Sequence, residues 1–163
     1  FDFIIYATGF DAIFGSYNRI DIRGVNQRRL KDQWEEELAT FLGIQTKGFP
    51  NLFMIMGPHA MQGNNPRNIE YNVEWITDVI KYMIDRRLTR AEASSEAQNG
   101  WHEYVLEQGK DLLMTQVDSW FTGINSNIEG RQTRITAMYR GSMQSFRNRC
   151  EEAAQNGYKE LWS

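Results

Sequence analysis

Apolar positions along the chain follow two different periods. Residues 3–6 and 52–56 are short, unbroken apolar runs, the pattern of strands covered on both faces, and Gly57-Pro58 stops the second abruptly. The first run therefore predicts a buried strand away from any sheet edge. From Pro66 to about Arg87 the spacing changes: Ile69, Val73, Ile76, Val79, Ile80 and Met83 recur at helical intervals, which predicts a long helix with these residues facing the core. Proline suits the first helical position because its missing N–H would be unpaired there anyway, and Asn64 or Asn65 is then the cap. A second helix is predicted from "TRAE", where Thr89 and Glu92 have capping-box spacing, through Trp101 and Val105 to about Leu113, with Gly100 its weak point. Residues 133–139 alternate as a strand does, and 142–156 read as a last helix closed by Gly157. The stretch 8–50 is loop-rich, with extended pieces at 20–22 and 41–45 and one helical turn at 30–36. Trp34, Trp75 and Trp101 fall on helical stretches and are expected in packing.

Composition narrows the classes. At 163 residues, 41% hydrophobic and 13% aromatic, the chain is long enough to bury one core. A formal charge of −3, from 18 basic and 21 acidic residues mixed along the sequence, leaves no electrostatic footprint for nucleic acid. No apolar run approaches a membrane span and no charged-then-apolar leader opens the sequence, so the expectation is a soluble, cytoplasmic chain with no membrane partner. The single cysteine, Cys150, rules out an internal disulfide, and the lack of an Asn-x-Ser/Thr sequon agrees with a reducing compartment.

Self-contained chemical motifs are missing: no G-x-G-x-x-G, no Walker A loop, no G-x-S-x-G elbow and no Cys or His pair at metal-ligand spacing. No residue reads as a catalytic acid, base or nucleophile, and no metal is expected. His102 lies on the charged side of a predicted helix and reads as a solvated surface histidine. His59 lies between a strand end and a helix start, in "MGPHAMQGNNPRNIE" (56–70). There a glycine-containing loop leads into a helix whose first positions hold Arg67 and no carboxylate, an end that favours an anion or an electron-rich carbonyl. Ligands in open α/β sheets gather at the carboxyl ends of strands, where this loop and the turn Ala7-Thr8-Gly9 would both sit. A plain strand-loop-helix connection is the competing reading. "DSWFTGIN" (118–125) sets two aromatics in a long polar stretch, suited to stacking on a planar ligand or to docking on the core.

Taken together and in order, "IIYATGFDA", "IDIRG", "GFPNLFMIMGP", "NNPRNIEYNVEWITD", "DSWFTGINSNIEGR" and "SFRNRCEEAAQNGY" resemble the carboxyl-terminal portion of a type I Baeyer-Villiger monooxygenase. The resemblance covers nearly all of this chain and about the last third of a full family member. It implies an α/β fold: the carboxyl-terminal portion of a flavoprotein with two Rossmann-like dinucleotide-binding domains, with an incomplete sheet and several long helices. Residues 1–11 would be the end of the NADP domain and its return linker. Residues 12–163 would be part of the FAD-binding domain, with a cofactor-covering loop at about 114–132.

The implied cofactors are FAD and NADPH, and the implied reaction inserts one atom of O2 into a ketone to give an ester or lactone. Ala7, Thr8, Gly9, Phe10 and Asp11 would line the junction of the two cofactors. Gly57, Pro58, Asn64, Pro66 and Ile69 match the segment whose helix end faces the flavin's pyrimidine edge. Trp120 matches the tryptophan of the loop that folds over the nicotinamide cofactor. Just after it the sequence departs from the common pattern, with two residues inserted and a proline lost. Asn127 is preferred to Asn125 as the matching asparagine because Ile128, Gly130 and Arg131 then fall into register. The family's Gly-rich fingerprints and catalytic arginine lie upstream of the matching region. The resemblance thus implies an inactive portion that needs the amino-terminal part of its own chain. A related monooxygenase acting on nitrogen or sulfur, and a non-catalytic interaction domain, are the alternatives.

Overall fold

The structure is a computed structural model, and it describes residues 1–7, 11, 13–61, 63–125, 128 and 133–162. Among these residues it forms the α-helices α1 (Gly15–Asn18), α2 (Leu30–Glu36), α3 (Asn65–Arg86), α4 (Ser95–Gly109), α5 (Leu113–Gln116) and α6 (Met143–Gln155). Three 3-10 turns, Val25–Gln27, Trp120–Thr122 and Lys159–Leu161, lie between and after them. α3 forms because its apolar spacing is helical, Asn64 accepts a hydrogen bond from the Arg67 N–H, and Pro66 lies in the first turn where no N–H is needed. Arg87, left-handed at φ 55°, ends it. α6 is capped by Ser142 and closed by Gly157 at φ 70°, as its sequence predicts.

Other expectations are corrected. The helix read from "TRAE" begins six residues later, at Ser95, because Glu92 is occupied elsewhere: its buried carboxylate accepts the Gly48 N–H at 2.7 Å and pairs with Arg90. Residues 91–94 instead run extended beside the carboxyl terminus, with Glu92 N–H on the Leu161 carbonyl and Ser94 N–H on that of Glu160. Ser94 is the true cap, accepting from the Ala97 N–H.

No strand forms among the described residues; the extended pieces meet only in isolated bridges, Arg23 with Arg29, Phe41 with Gln45 and Met61 with Tyr139. The run at 3–6 is therefore not a buried strand. Nothing among the described residues pairs with its backbone, and Phe3, Ile4, Ile5 and Tyr6 stand 71–89% exposed. The run at 52–56 is likewise irregular: Met54 is buried and donates to the Ile44 carbonyl, while Ile55 points outward. Residues 133–139 have no ladder partner beyond Met61, although Ala137, Met138 and Tyr139 are all buried.

Two apolar clusters hold the molecule together. The larger joins α3, α4 and α6 through Trp75, Ile76, Val79, Trp101, Val105, Phe146 and Cys150, with Tyr158 edge-on to Trp75. The smaller gathers Phe14, Leu30, Trp34, Phe49, Met54 and Ala137. The face that α3 buries is only partly the predicted one: Ile76 and Val79 are buried and Met83 packs against the larger cluster. The helix's inward side carries Asn68, Asn72, Trp75, Ile76 and Val79, whereas Ile69, Val73 and Ile80 are 41–43% exposed.

Candidate functional site

The loop from Met56 to Met61 is strapped from several sides by polar groups. Gly57 N–H donates to the Gly43 carbonyl at 3.1 Å, and the buried Thr40 hydroxyl donates to the Pro58 carbonyl at 2.8 Å. From α3, Asn72 accepts the Met56 N–H at 3.1 Å and Asn68 donates to the Met61 carbonyl at 3.2 Å. Gly57 is glycine for a packing reason, since a Cβ there would lie 2.6 Å from the Gly43 oxygen. Gly57 and Pro58 are thus interior residues that position the loop, while the helix end beyond it, Asn64, Pro66 and the half-exposed Ile69, is open to solvent.

That end has no carboxylate in its first turn. Pro66 lacks an N–H and Asn64 occupies that of Arg67, so the end presents the helix dipole and the Arg67 side chain more than a fan of free donors.

His59 sits fully buried in the strapped loop, at φ 66°. Its backbone N–H donates to the Ala137 carbonyl at 3.0 Å and its Nε2 lies 2.8 Å from the Thr136 carbonyl. A carbonyl only accepts, so Nε2 carries the proton and Nδ1 holds a buried lone pair with no protein partner. Burial pushes its pKa down to about 4, against the favourable Thr136 contact and with the neighbouring His102 acting in the same downward sense. The two imidazole rings lie 5.3 Å apart. His102 is therefore not the solvated residue its helix position predicts: its side chain is 19% exposed and packs on His59, with Nε2 3.9 Å from Glu37.

The segment bearing Trp120 closes on itself. The Thr122 hydroxyl accepts the Ser119 N–H and donates toward the Val117 and Ser119 carbonyls, Gly123 turns left-handed, and Ile124 N–H returns to Ser119. Its neck is pinned where Ile135 N–H meets the Thr122 carbonyl at 2.9 Å and Arg134 meets Asp118 at 2.7 Å. At its tip Trp120 is 50% exposed and stacked on Phe121 at 3.8 Å, with Arg140 over the Phe121 ring. A cavity of about 100 Å³ lies under Phe121, lined by Arg134, Thr136, Met138 and Arg140 among others.

The sequence-predicted residues fall into three groups. Gly57 and Pro58 lie on the Met56–Met61 loop and Asn64, Pro66 and Ile69 at the amino end of α3, which Asn68 and Asn72 tie to that loop, and the neck of the Trp120 segment meets the loop at His59. Ala7 is exposed at the end of the unpaired run, and Asp11 is half-buried against Gly15 of α1. Thr8, Gly9, Phe10, Asn127 and Arg131 lie outside the described residues.

No family model matches the chain. Individual relatives do. It is 38% identical over 161 residues to the 2-oxo-Δ3-4,5,5-trimethylcyclopentenylacetyl-CoA monooxygenase of Pseudomonas putida, covering 96% of this chain and 29% of that protein. The cyclohexanone 1,2-monooxygenase of Acinetobacter sp is 34% identical, with the same coverage. A phenazine N-monooxygenase of Lysobacter antibioticus is 35% identical over 97% of the chain and 29% of its own length. The crystal structure of cyclohexanone monooxygenase from Rhodococcus sp. Phi1 bound to NADP+ matches 94% of this chain with a TM-score of 0.88 at 34% identity, over 28% of its own length.

Over nearly all of its length the chain is similar to Baeyer-Villiger monooxygenases. It spans about 29% of the length of the curated relatives it matches. A second similar structure, of OTEMO in complex with FAD and NADP, gives a TM-score of 0.82 at 36% identity, over 95% of this chain and 28% of its own length. With no strand among its described residues, what the chain shares with these structures is a helix-and-loop arrangement. Sequence reasoning singled out His59 without giving it a role and missed Thr40, Asn68 and Asn72, which strap the Met56–Met61 loop. The available signal was Asn68 and Asn72 themselves, two amides four residues apart on one side of an amphipathic helix.

Proposed function

We propose that this chain is the carboxyl-terminal portion of a flavin-dependent monooxygenase that uses NADPH and O2 to convert a ketone to an ester or lactone. The observation that carries the proposal is its match, over 94% of its residues, to an NADP+-bound cyclohexanone monooxygenase. In this reading residues 1–11 return from the NADP domain and residues 12–163 belong to the FAD domain.

The residues present fit a flavin at the amino end of α3. That end is exposed, free of carboxylates in its first turn and flanked by the half-exposed apolar Ile69. The dipole there and Arg67 would favour negative charge on a ring edge, and Asn64, Pro66 and Ile69 would border it. Bound FAD supplies oxygen activation and NADPH supplies the electrons. The protein's part would be to hold the strapped loop in place and to exclude water with the segment carrying Trp120, whose indole, half-exposed here, would pack on the nicotinamide cofactor. Ala7, Thr8, Gly9, Phe10 and Asp11 would line the cofactor junction, and Asn127 and Arg131 would complete the covering segment.

The test compares residues 1–163 with a longer protein carrying them. The longer protein is expected to purify yellow, to oxidise NADPH faster when a cyclic ketone is added, and to release the lactone. The 163 residues alone are expected to show no turnover, and robust NADPH oxidation by them would overturn the fragment reading. A second reading, oxygenation of an aromatic nitrogen, is favoured by the 35% identity to the phenazine N-monooxygenase. It predicts an N-oxide from a heteroaromatic substrate and no lactone from a ketone.

A further inference from the structure

His59 makes more contacts than a connecting loop requires. It is a fully buried, non-glycine residue held at φ 66°, a conformation that persists only where the surroundings over-determine it. Glycine would adopt that backbone without strain and would still offer the N–H that the Ala137 carbonyl accepts. What only the imidazole adds is the Nε2 donor to the adjacent carbonyl, that of Thr136, at 2.8 Å. Those two consecutive carbonyls directly follow Ile135, whose N–H closes the neck of the Trp120 segment on Thr122. The loop is fixed on both sides of His59, at Met56 by Asn72, at Pro58 by Thr40 and at Met61 by Asn68, so His59 links a rigid base to the neck. His102 backs the ring at 5.3 Å and limits its rotation.

We propose that His59 is a positioning residue that fastens the neck of the Trp120 segment to the Gly57-Pro58 loop, and thereby sets how firmly that segment covers the nicotinamide cofactor. The second half rests on the function proposed above. The first half does not, and the two are measured separately.

In a longer protein carrying this chain, His59→Gly removes the Nε2 donor while keeping the backbone bond. Hydrogen exchange of the Ile135 amide, followed without cofactor, is expected to accelerate about threefold to tenfold, the range of one lost hydrogen bond. The KM for NADPH is expected to rise by a similar factor while kcat stays within about twofold. His59→Gln, which keeps a donor at comparable reach, is expected to restore both. If His59→Gly does not fold, His59→Met fills the site without a donor and takes its place.

Ile135 exchange at the unsubstituted rate would overturn the fastening. Faster exchange with an unchanged KM would overturn its effect on the cofactor. A protein that never oxidises NADPH would defeat the proposed function instead, and the exchange result would still decide whether His59 fastens the neck.

Discussion

His59 and Cys150 show how burial decides the chemistry of a single side chain here. The Cys150 thiol, buried between α3 and α6, is pushed up to about 12 by desolvation, so it is a packing group whose carbonyl receives the Trp75 indole N–H. His59 is the opposite case, a base held neutral. Its folded pKa of about 4 lies below the usual 6.5, so the unfolded chain binds more protons between those two values. Stability from His59 is therefore fully present above about pH 6.5 and is lost as the pH falls toward 4, on the order of 3 kcal/mol in all. Urea denaturation at intervals from pH 7.5 to 5 should show this decline before the carboxylates titrate. His59→Gln should flatten it, and an equal slope in the two proteins would show that another group is responsible.

At the scale of elements, what the sequence made legible was what local chemistry controls. The cap, first-turn proline and stop of α3, and the cap and glycine end of α6, are fixed by residues within four positions of one another. The predicted start at Thr89 failed because Glu92 found partners 44 residues away in sequence, and no local pattern encodes that. The strands failed for the same reason: an apolar run pairs only if another segment lies beside it. The facing of α3 was read only in part, with Ile76 and Val79 inward as expected, because its inward side also carries two asparagines that serve the Met56–Met61 loop while Ile69, Val73 and Ile80 lie beyond the core. The site was legible as residues, Asn64 and Trp120 among them, but the straps from Thr40 and His59 depend on long-range contacts. One consequence can be measured on α3 alone. Asn64→Ala should lower stability by about 0.5–2 kcal/mol and Asn64→Gly by only a few tenths, since glycine tolerates the cap conformation. Equal losses from both would mean that the Arg67 N–H bond contributes little.

Among the described residues, apolar surface stands uncovered in two places that bear on assembly. One is the run at 3–6. The other is a stripe along α3, where Ile69, Val73, Ile80 and Ile84 fall within about 60° of arc at helical pitch. Ile84 is 70% exposed, and a β-prone run such as Phe-Ile-Ile-Tyr with no partner strand is a template for self-association. The 163 residues alone should therefore bind a hydrophobic dye and self-associate, and removing residues 1–6 should reduce both without abolishing them. The decisive comparison is Ile80→Glu in the two contexts. In the isolated chain Ile80 is a surface residue, and the substitution should change stability by no more than about 0.5 kcal/mol while lowering dye binding. In a longer protein, if the remaining part of the enzyme packs on this stripe, the same change should cost about 1.5–3 kcal/mol or more, the worth of a buried isoleucine side chain plus the penalty of a buried charge. A neutral result in both would mean that the stripe faces solvent in the longer protein as well.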